Sequence, residues 1–226
     1  MTVNTNAPGS PVINVFSNLN AWQDLRGHYV YLEPLDEKYR GALRGLAKDE
    51  RIWEFTKTLL IDENYDDQFD EYFNVALQLP QTGGQAFVIR AAKEDVPAGK
   101  GEPIKEGTII GMTRMYFVEP KDKRLEIGYT WYIPAVWGKV YNKECKLLLL
   151  QYVFETLKFN RVEFRVAHQN IRSQKAVEKI GGIKEGVLRK FAIRNDGVRR
   201  DTVVFSIIDD EWPEKKEKLL QLIAQG

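Results

Sequence analysis

Two short stretches of this 226-residue chain hold residues whose types and spacing could do chemistry. The first is Val136-Trp137-Gly138-Lys139-Val140-Tyr141-Asn142, between a strand-like run and a long helical run. Backbone N–H groups at the start of a helix lack partners and carry partial positive charge, so such a turn can hold a pyrophosphate. Lys139 adds a mobile cation beside them. Against this, the stretch has a single glycine and puts a β-branched Val140 where a second would be expected. Most strand–turn–helix units bind nothing, and alone this one also reads as an ordinary connection. The second stretch is Asn170-Ile171-Arg172-Ser173. Asn170 is a natural N-cap, and Ser173, three residues on in the first helical turn, emerges near the same end.

Other constellations are weaker. Cys145 and His168 could be imagined as a thiol–imidazole pair, but Cys145 falls inside a leucine-rich helical run and reads as a small core residue. One Cys and two His make no credible zinc set. Strand alternation puts Glu126, Gly128 and Thr130 on one face. The plain reading of Glu126 is a strand-end carboxylate paired with Arg124 or Arg165. The Arg and Lys groups of 189–200 lie on an expected hairpin and read as solvated, with the steering of an acidic acceptor or an adenosine 3′-phosphate as the other reading. Trp53, Phe55 and Trp131 read as core or pocket walls.

The elements that must position these residues follow from periodicity. Residues 1–26 form an expected N-terminal arm, Pro- and Gly-punctuated at its start, and 27–226 a single domain. A first strand is expected at 28–32, a helix over 37–47 with Asp36 as N-cap, and a helix over 66–79 ended by Pro80. Strands follow in "AFVIRAA", "TIIGMTRMYFV" and "RLEIGYTWYI", the first two separated by a charged Pro/Gly-rich loop. "NKECKLLLLQYVFETL" is a helix apolar on nearly all sides in its middle, hence buried. A strand "RVEFRVA", a helix closed by Gly181-Gly182, two strands joined by Asn195-Asp196-Gly197, and a C-terminal helix with Pro213 in its first turn complete the order. The fold class is mixed α/β. The strands at 124–131 and 161–167 would run parallel and present their C-terminal ends to one crevice, where open α/β sheets bind ligands.

Composition narrows the partners. The formal net charge is +1, from 33 Lys and Arg against 32 Asp and Glu, so no global field favours nucleic acid or an anionic membrane. No apolar run is long enough to span a bilayer, no signal peptide is evident, and a lone cysteine suits a reducing compartment. The expectation is a cytoplasmic protein.

Together, "EIGYTWYIPAVWGKVYNKECKLLLLQYVFE", "LKFNRVEFRVAHQNIRSQKAVEKIGGIKEGVLRKF" and "NDGVRRDTVVFSII" resemble the GNAT acetyltransferases, in particular the branch that includes the ribosomal-protein N-terminal acetyltransferases. The resemblance covers about residues 27–212 in element order and is specific over 126–205. It implies a mostly antiparallel twisted sheet, splayed between two parallel strands and flanked by helices, that moves an acetyl group from acetyl-CoA to a primary amine by direct attack, with no metal. A protein N-terminal α-amine is the leading acceptor. The alternatives are a small amine, such as an antibiotic or polyamine, and a non-catalytic acyl-CoA-binding module.

By the same resemblance the CoA pyrophosphate rests on Trp137, Gly138, Lys139, Val140, Tyr141 and Asn142. The family pattern Gln/Arg-x-x-Gly-x-Gly/Ala falls on Trp137, Val140 and Asn142, all three of which depart from it. Val140 suits binding if the turn already has helical geometry; otherwise it crowds the phosphates, and Val140→Gly would tighten CoA binding. Tyr129, Thr130 and Trp131 would flank the thioester, one backbone N–H polarising its carbonyl. Asn170 and Lys175 would contact the donor, Ser173 would protonate the leaving thiolate, and Glu126 would take the amine's proton through water. The acceptor walls would come from 50–80 and 183–205. Many members of the family self-associate, so a homodimer is a further expectation.

Overall fold

The computed structural model of the chain describes residues 25–58, 60, 63–95 and 103–225. The expected N-terminal arm therefore lies almost wholly outside the described residues. A seven-stranded sheet forms the frame, in the order β1-β2-β3-β4-β5-β7-β6. Its strands are β1 (Val30–Pro34), β2 (Gln85–Ala91), β3 (Ile109–Glu119), β4 (Arg124–Tyr132), β5 (Arg161–Ala167), β6 (Ile183–Ile193) and β7 (Arg199–Ile208). Every neighbouring pair is antiparallel except β4 and β5.

That one parallel pair is short. It joins Arg124 to Arg161, Leu125 to Val162 and Glu126 to Glu163, and no further pairs form. Beyond Glu126 the two strands part, as the mixed α/β reading with its splayed pair anticipates. A bulge in β4 follows close behind. Tyr129 takes a left-handed backbone, φ 49°, and the β3–β4 register slips there, from Met112 opposite Trp131 to Arg114 opposite Gly128. A bulge of this kind bends its strand and reverses the side-chain alternation after it. A β-branched or aromatic residue at such a φ stores strain of order 1–3 kcal/mol, the sort of cost that concentrates at functional sites.

Helices cover both faces. On one face lie α1 (Arg40–Leu46) and α2 (Tyr65–Leu77), whose Leu43, Phe69 and Phe73 pack with Val88, Met112 and Trp131. On the other lie α3 (Tyr141–Gln151), α4 (Ile171–Lys179) and α5 (Trp212–Ala224), whose Leu149, Leu150, Val177 and Leu219 pack with Leu125, Ile127, Val162 and Phe205. The helix from Tyr141 is buried on nearly all sides, as its leucine run requires; it then widens into a π turn over Tyr152–Thr156. Each fully buried Leu there contributes about 2 kcal/mol. Buried Glu144 ties α3 to the chain entering β1: its carboxylate accepts from the N–H groups of His28, Tyr29 and Val30 at 2.9, 2.5 and 2.7 Å. Among the described residues no helix is long and apolar enough to cross a membrane.

Candidate active site

Where β4 and β5 part, a cleft of about 580 Å³ opens. The fold brings ten of the candidate residues to the lining of this one cleft: Glu126, Tyr129, Thr130, Trp131, Trp137, Gly138, Lys139, Asn142, Asn170 and Ser173. Val140, Tyr141 and Lys175 do not line it.

One side of the cleft lies at the start of α3. Gly138 has φ +78°, a conformation that favours glycine, and a Cβ there would meet nothing within 4 Å, so the turn is open above it. No side chain caps α3, which leaves its first N–H groups for an incoming anion. Trp137 turns its indole inward, Nε1 donating to the Tyr132 carbonyl at 2.8 Å, with the Arg172 guanidinium 4.1 Å from the ring centroid. Lys139 Nζ lies 3.0 Å from Asp95 Oδ2, and the Tyr141 hydroxyl donates to the same oxygen at 2.7 Å. Those two donors, Tyr141 first, hold the Asp95 carboxyl below its ordinary range. Tyr141 thus serves the loop at Asp95, and its ring is buried in the core.

Val140 does not crowd the turn. Its backbone is helical, φ −65° and ψ −24°, and its side chain is buried in the core cluster under the sheet. The departure from a glycine pattern at this position is a packing choice. We expect Val140→Gly to leave CoA affinity unchanged and to cost about 2–3 kcal/mol of stability, from lost burial and added backbone freedom. Calorimetry and urea unfolding read the two quantities separately.

At the start of α4, Asn170 caps as its plain reading requires: its Oδ1 accepts from the Ser173 N–H at 2.9 Å. Ser173 is half-buried at the cleft wall, whereas Lys175 is exposed and away from the cleft.

The other side of the cleft lies on the α1/α2 face. Glu126 is 1% exposed, and its Oε1 sits 3.0 Å from Arg165 Nη2. Burial pushes its carboxyl up, opposed by the Arg165 charge and the neighbouring Tyr116 hydroxyl. Neither carboxylate oxygen accepts a hydrogen bond of ordinary geometry. The ion pair expected of a strand-end carboxylate is therefore present, and it lies at the cleft wall.

Thr130 does not share the face of Glu126 as simple alternation would have it. The bulge at Tyr129 turns it to the α3 face, where its hydroxyl meets the Thr113 hydroxyl at 2.8 Å and accepts from Lys146 Nζ at 2.6 Å. Lys146 is a cleft-lining residue that periodicity alone passes over. It is 5% exposed, one helical turn below Asn142 on α3, and burial pushes its ammonium down to about 8. Its signal in the sequence is a lone cation before four leucines, four residues after a cofactor-turn candidate.

Two more residues sit differently from a solvated hairpin. Arg194 Nη1 donates to the Glu54 carbonyl at 3.1 Å and Arg200 Nη1 to the Phe55 carbonyl at 3.0 Å, so the segment 54–58 roofs the cleft from the hairpin side. Trp53, Phe55 and Trp131 are walls of the cleft, and Trp53 and Trp131 belong to the core as well. Cys145 is fully buried, and burial pushes its thiol up, as a core residue requires. Among the described residues no group of three or more His, Cys, Asp or Glu is placed to hold a metal ion.

Comparison with known proteins agrees with this geometry. "Putative ribosomal N-acetyltransferase YdaF" of Bacillus subtilis is 32% identical over 112 residues, 49% of this chain and 60% of that protein. The chain spans between about two fifths and three fifths of the length of the curated relatives it matches. A solved structure described as a "putative acetyltransferase" from T. thermophilus superposes with a TM-score of 0.71 at 32% identity, over 87% of this chain and 95% of that one. The spermidine N-acetyltransferase from Vibrio cholerae, solved with CoA and spermine, shares the fold with a TM-score of 0.63 at 18% identity, over 83% of this chain and 99% of that one. The sequence model of the acetyltransferase (GNAT) domain matches residues 30–183, well over half of the chain. With its splayed parallel pair and its open helix start, the chain belongs to the GNAT acetyltransferase family.

Proposed function

We propose that the cleft transfers an acetyl group from acetyl-CoA to a primary amine, with a protein or peptide N-terminal α-amine as acceptor. The observation that carries this reading is the parting of β4 from β5 after Glu126, with an uncapped helix start on one side and a buried carboxylate on the other. CoA supplies the thioester. The N–H groups at the uncapped start of α3 hold its pyrophosphate, with Lys139, paired to Asp95, standing beside them. Beyond Glu126 the β4 backbone has no pairing partner on the β5 side, and an N–H among Tyr129 to Trp131 can polarise the thioester carbonyl. Glu126 takes the proton of the incoming ammonium through water, its raised carboxyl being better matched to that task than an ordinary glutamate. Ser173, also in the cleft lining, gives its hydroxyl proton to the departing thiolate and regains one through water from the nitrogen, which loses its second proton as the amide forms.

The likeness to a ribosomal N-acetyltransferase relative supports a protein acceptor. A non-catalytic reading needs an altered phosphate turn, and burial of the Val140 side chain in the core takes that support away.

Release of free CoA thiol, followed with acetyl-CoA and a panel of unblocked peptides, spermidine and aminoglycosides, tests the proposal. Turnover with unblocked peptides and none with the same peptides blocked at the N-terminus is the expected result. Tight acetyl-CoA binding without turnover on any amine would sink it.

A further inference from the structure

The acceptor side of the cleft carries buried polar groups that the protein itself leaves without hydrogen bonds, both oxygens of Glu126 among them, and a surplus of positive charge. The cleft lining holds six Lys and Arg residues and a single acidic one, Glu126. On the wall of β5 and β7, the buried Nε of Arg165, the Nε of Arg200 and the hydroxyl of Thr202 have no hydrogen-bond partner. The strands bring them together: Ala167 pairs with Thr202 and Arg165 with Val204, so Arg165 and Thr202 are near neighbours on one face, and Arg200 follows two residues along β7. Among the described residues Arg200 has no carboxylate within ion-pair distance, and burial pushes its guanidinium down. Arg200 is nonetheless fixed, since one of its N–H groups donates to the Phe55 carbonyl of the roof. A fixed, half-buried guanidinium that lines the cleft without a counter-ion costs stability unless something anionic completes it.

We propose that this wall binds a carboxylate of the acceptor, so that the acceptor is an acidic amine: an amine with a carboxylate only a few bonds away, as in a peptide whose first or second residue is Asp or Glu. The inference rests on the reading of the cleft as that of an amine acetyltransferase and names its substrate class. Spacing supports it. Arg165 touches Glu126, the candidate proton acceptor, at 3.0 Å, so the anchor and the reacting amine must lie close together. A planar guanidinium offers the paired donors that a carboxylate accepts. The same charge balance repels a polyamine.

Matched peptides that differ only at the second residue test this on the unaltered protein. Ser-Asp-, Ser-Asn- and Ser-Lys- peptides, spermidine and free aspartate are titrated into the CoA-loaded protein by calorimetry, and thiol release is measured in parallel. The Asp peptide is expected to bind about tenfold or more tighter than the Asn peptide, with the Lys peptide and spermidine weakest. Arg200→Gln should bring the Asp-to-Asn ratio close to one, and Arg200→Lys should keep part of it. Free aspartate binding as well as the peptide would support the carboxylate anchor and assign it to an amino acid. Equal affinity for the Asp and Asn peptides, a preference for Lys or spermidine, or no binding of any peptide overturns the proposal. Turnover of a non-acidic amine in that case leaves the acetyltransferase reading standing. Preferential binding of the Asp peptide without turnover supports the anchor and defeats the transfer reading.

Discussion

Glu126→Gln should lower the rate of acetyl transfer about a hundredfold or more while CoA binding and the melting temperature hold or improve. The amide keeps the shape of the side chain and cannot accept the amine's proton. It also removes a buried charge. Burial raises the Glu126 carboxyl above its ordinary value, so between that value and its folded one the native state binds the extra proton. Stability contributed by this group is therefore greatest at low pH and falls as pH rises through the window, a cost that the amide does not carry. Arg165 is left with Glu163 at 3.4 Å, so the substitution does not strand its guanidinium. The same shift makes the acidic limb of kcat/KM lie above that of an unperturbed glutamate, and the limb should vanish in the variant. A rate loss of less than about threefold, with the limb intact, would instead mark the Glu126–Arg165 pair as structural.

The fold is legible in the sequence wherever burial imposes a period. Alternation in "AFVIRAA" and "RVEFRVA", the apolar run of α3, Asn170 as a cap and Pro213 in the first turn of α5 all describe interactions within a few residues of chain. The register break at Tyr129 is not legible, because an aromatic residue in a strand carries no mark of a left-handed backbone. Alternation taken straight through it therefore assigns Thr130 to the wrong face. Burial of Val140 is likewise invisible locally, since the same residue could point at a phosphate or at the core, and only the packing of α3 under the sheet decides. Arg200 shows the limit most plainly. Its hairpin reads as solvated, and what covers it is a carbonyl 145 residues away. The resemblance of the ordered motifs to a family supplies the cleft's position, and contacts of long sequence separation supply its charge.

Lys146→Met should stabilise the protein at pH 7 by about 2–3 kcal/mol. The ammonium sits against Thr130 Oγ1 and, at 3.4 Å, Thr113 Oγ1, in a site where burial lowers it to about 8 from 10.5. A lowering of that size corresponds to about 3 kcal/mol of penalty on the charged form. The penalty is complete below pH 8. Between pH 8 and 10.5 the unfolded chain holds the proton and the native state has lost it, so the stability of the unaltered protein should climb through that window. Methionine fills much the same volume without a charge, and the two threonine hydroxyls keep each other as partners at 2.8 Å. Urea unfolding at about pH 7, 9 and 10.5 separates the cases: the variant should start higher and stay flat where the unaltered protein rises. A variant less stable at pH 7 would show that the ammonium is compensated by more than two hydroxyls. A gain in stability joined to a loss of turnover would show that the cleft keeps this lysine for the reaction, since a buried cation that only packs would be dispensable at no cost to the rate.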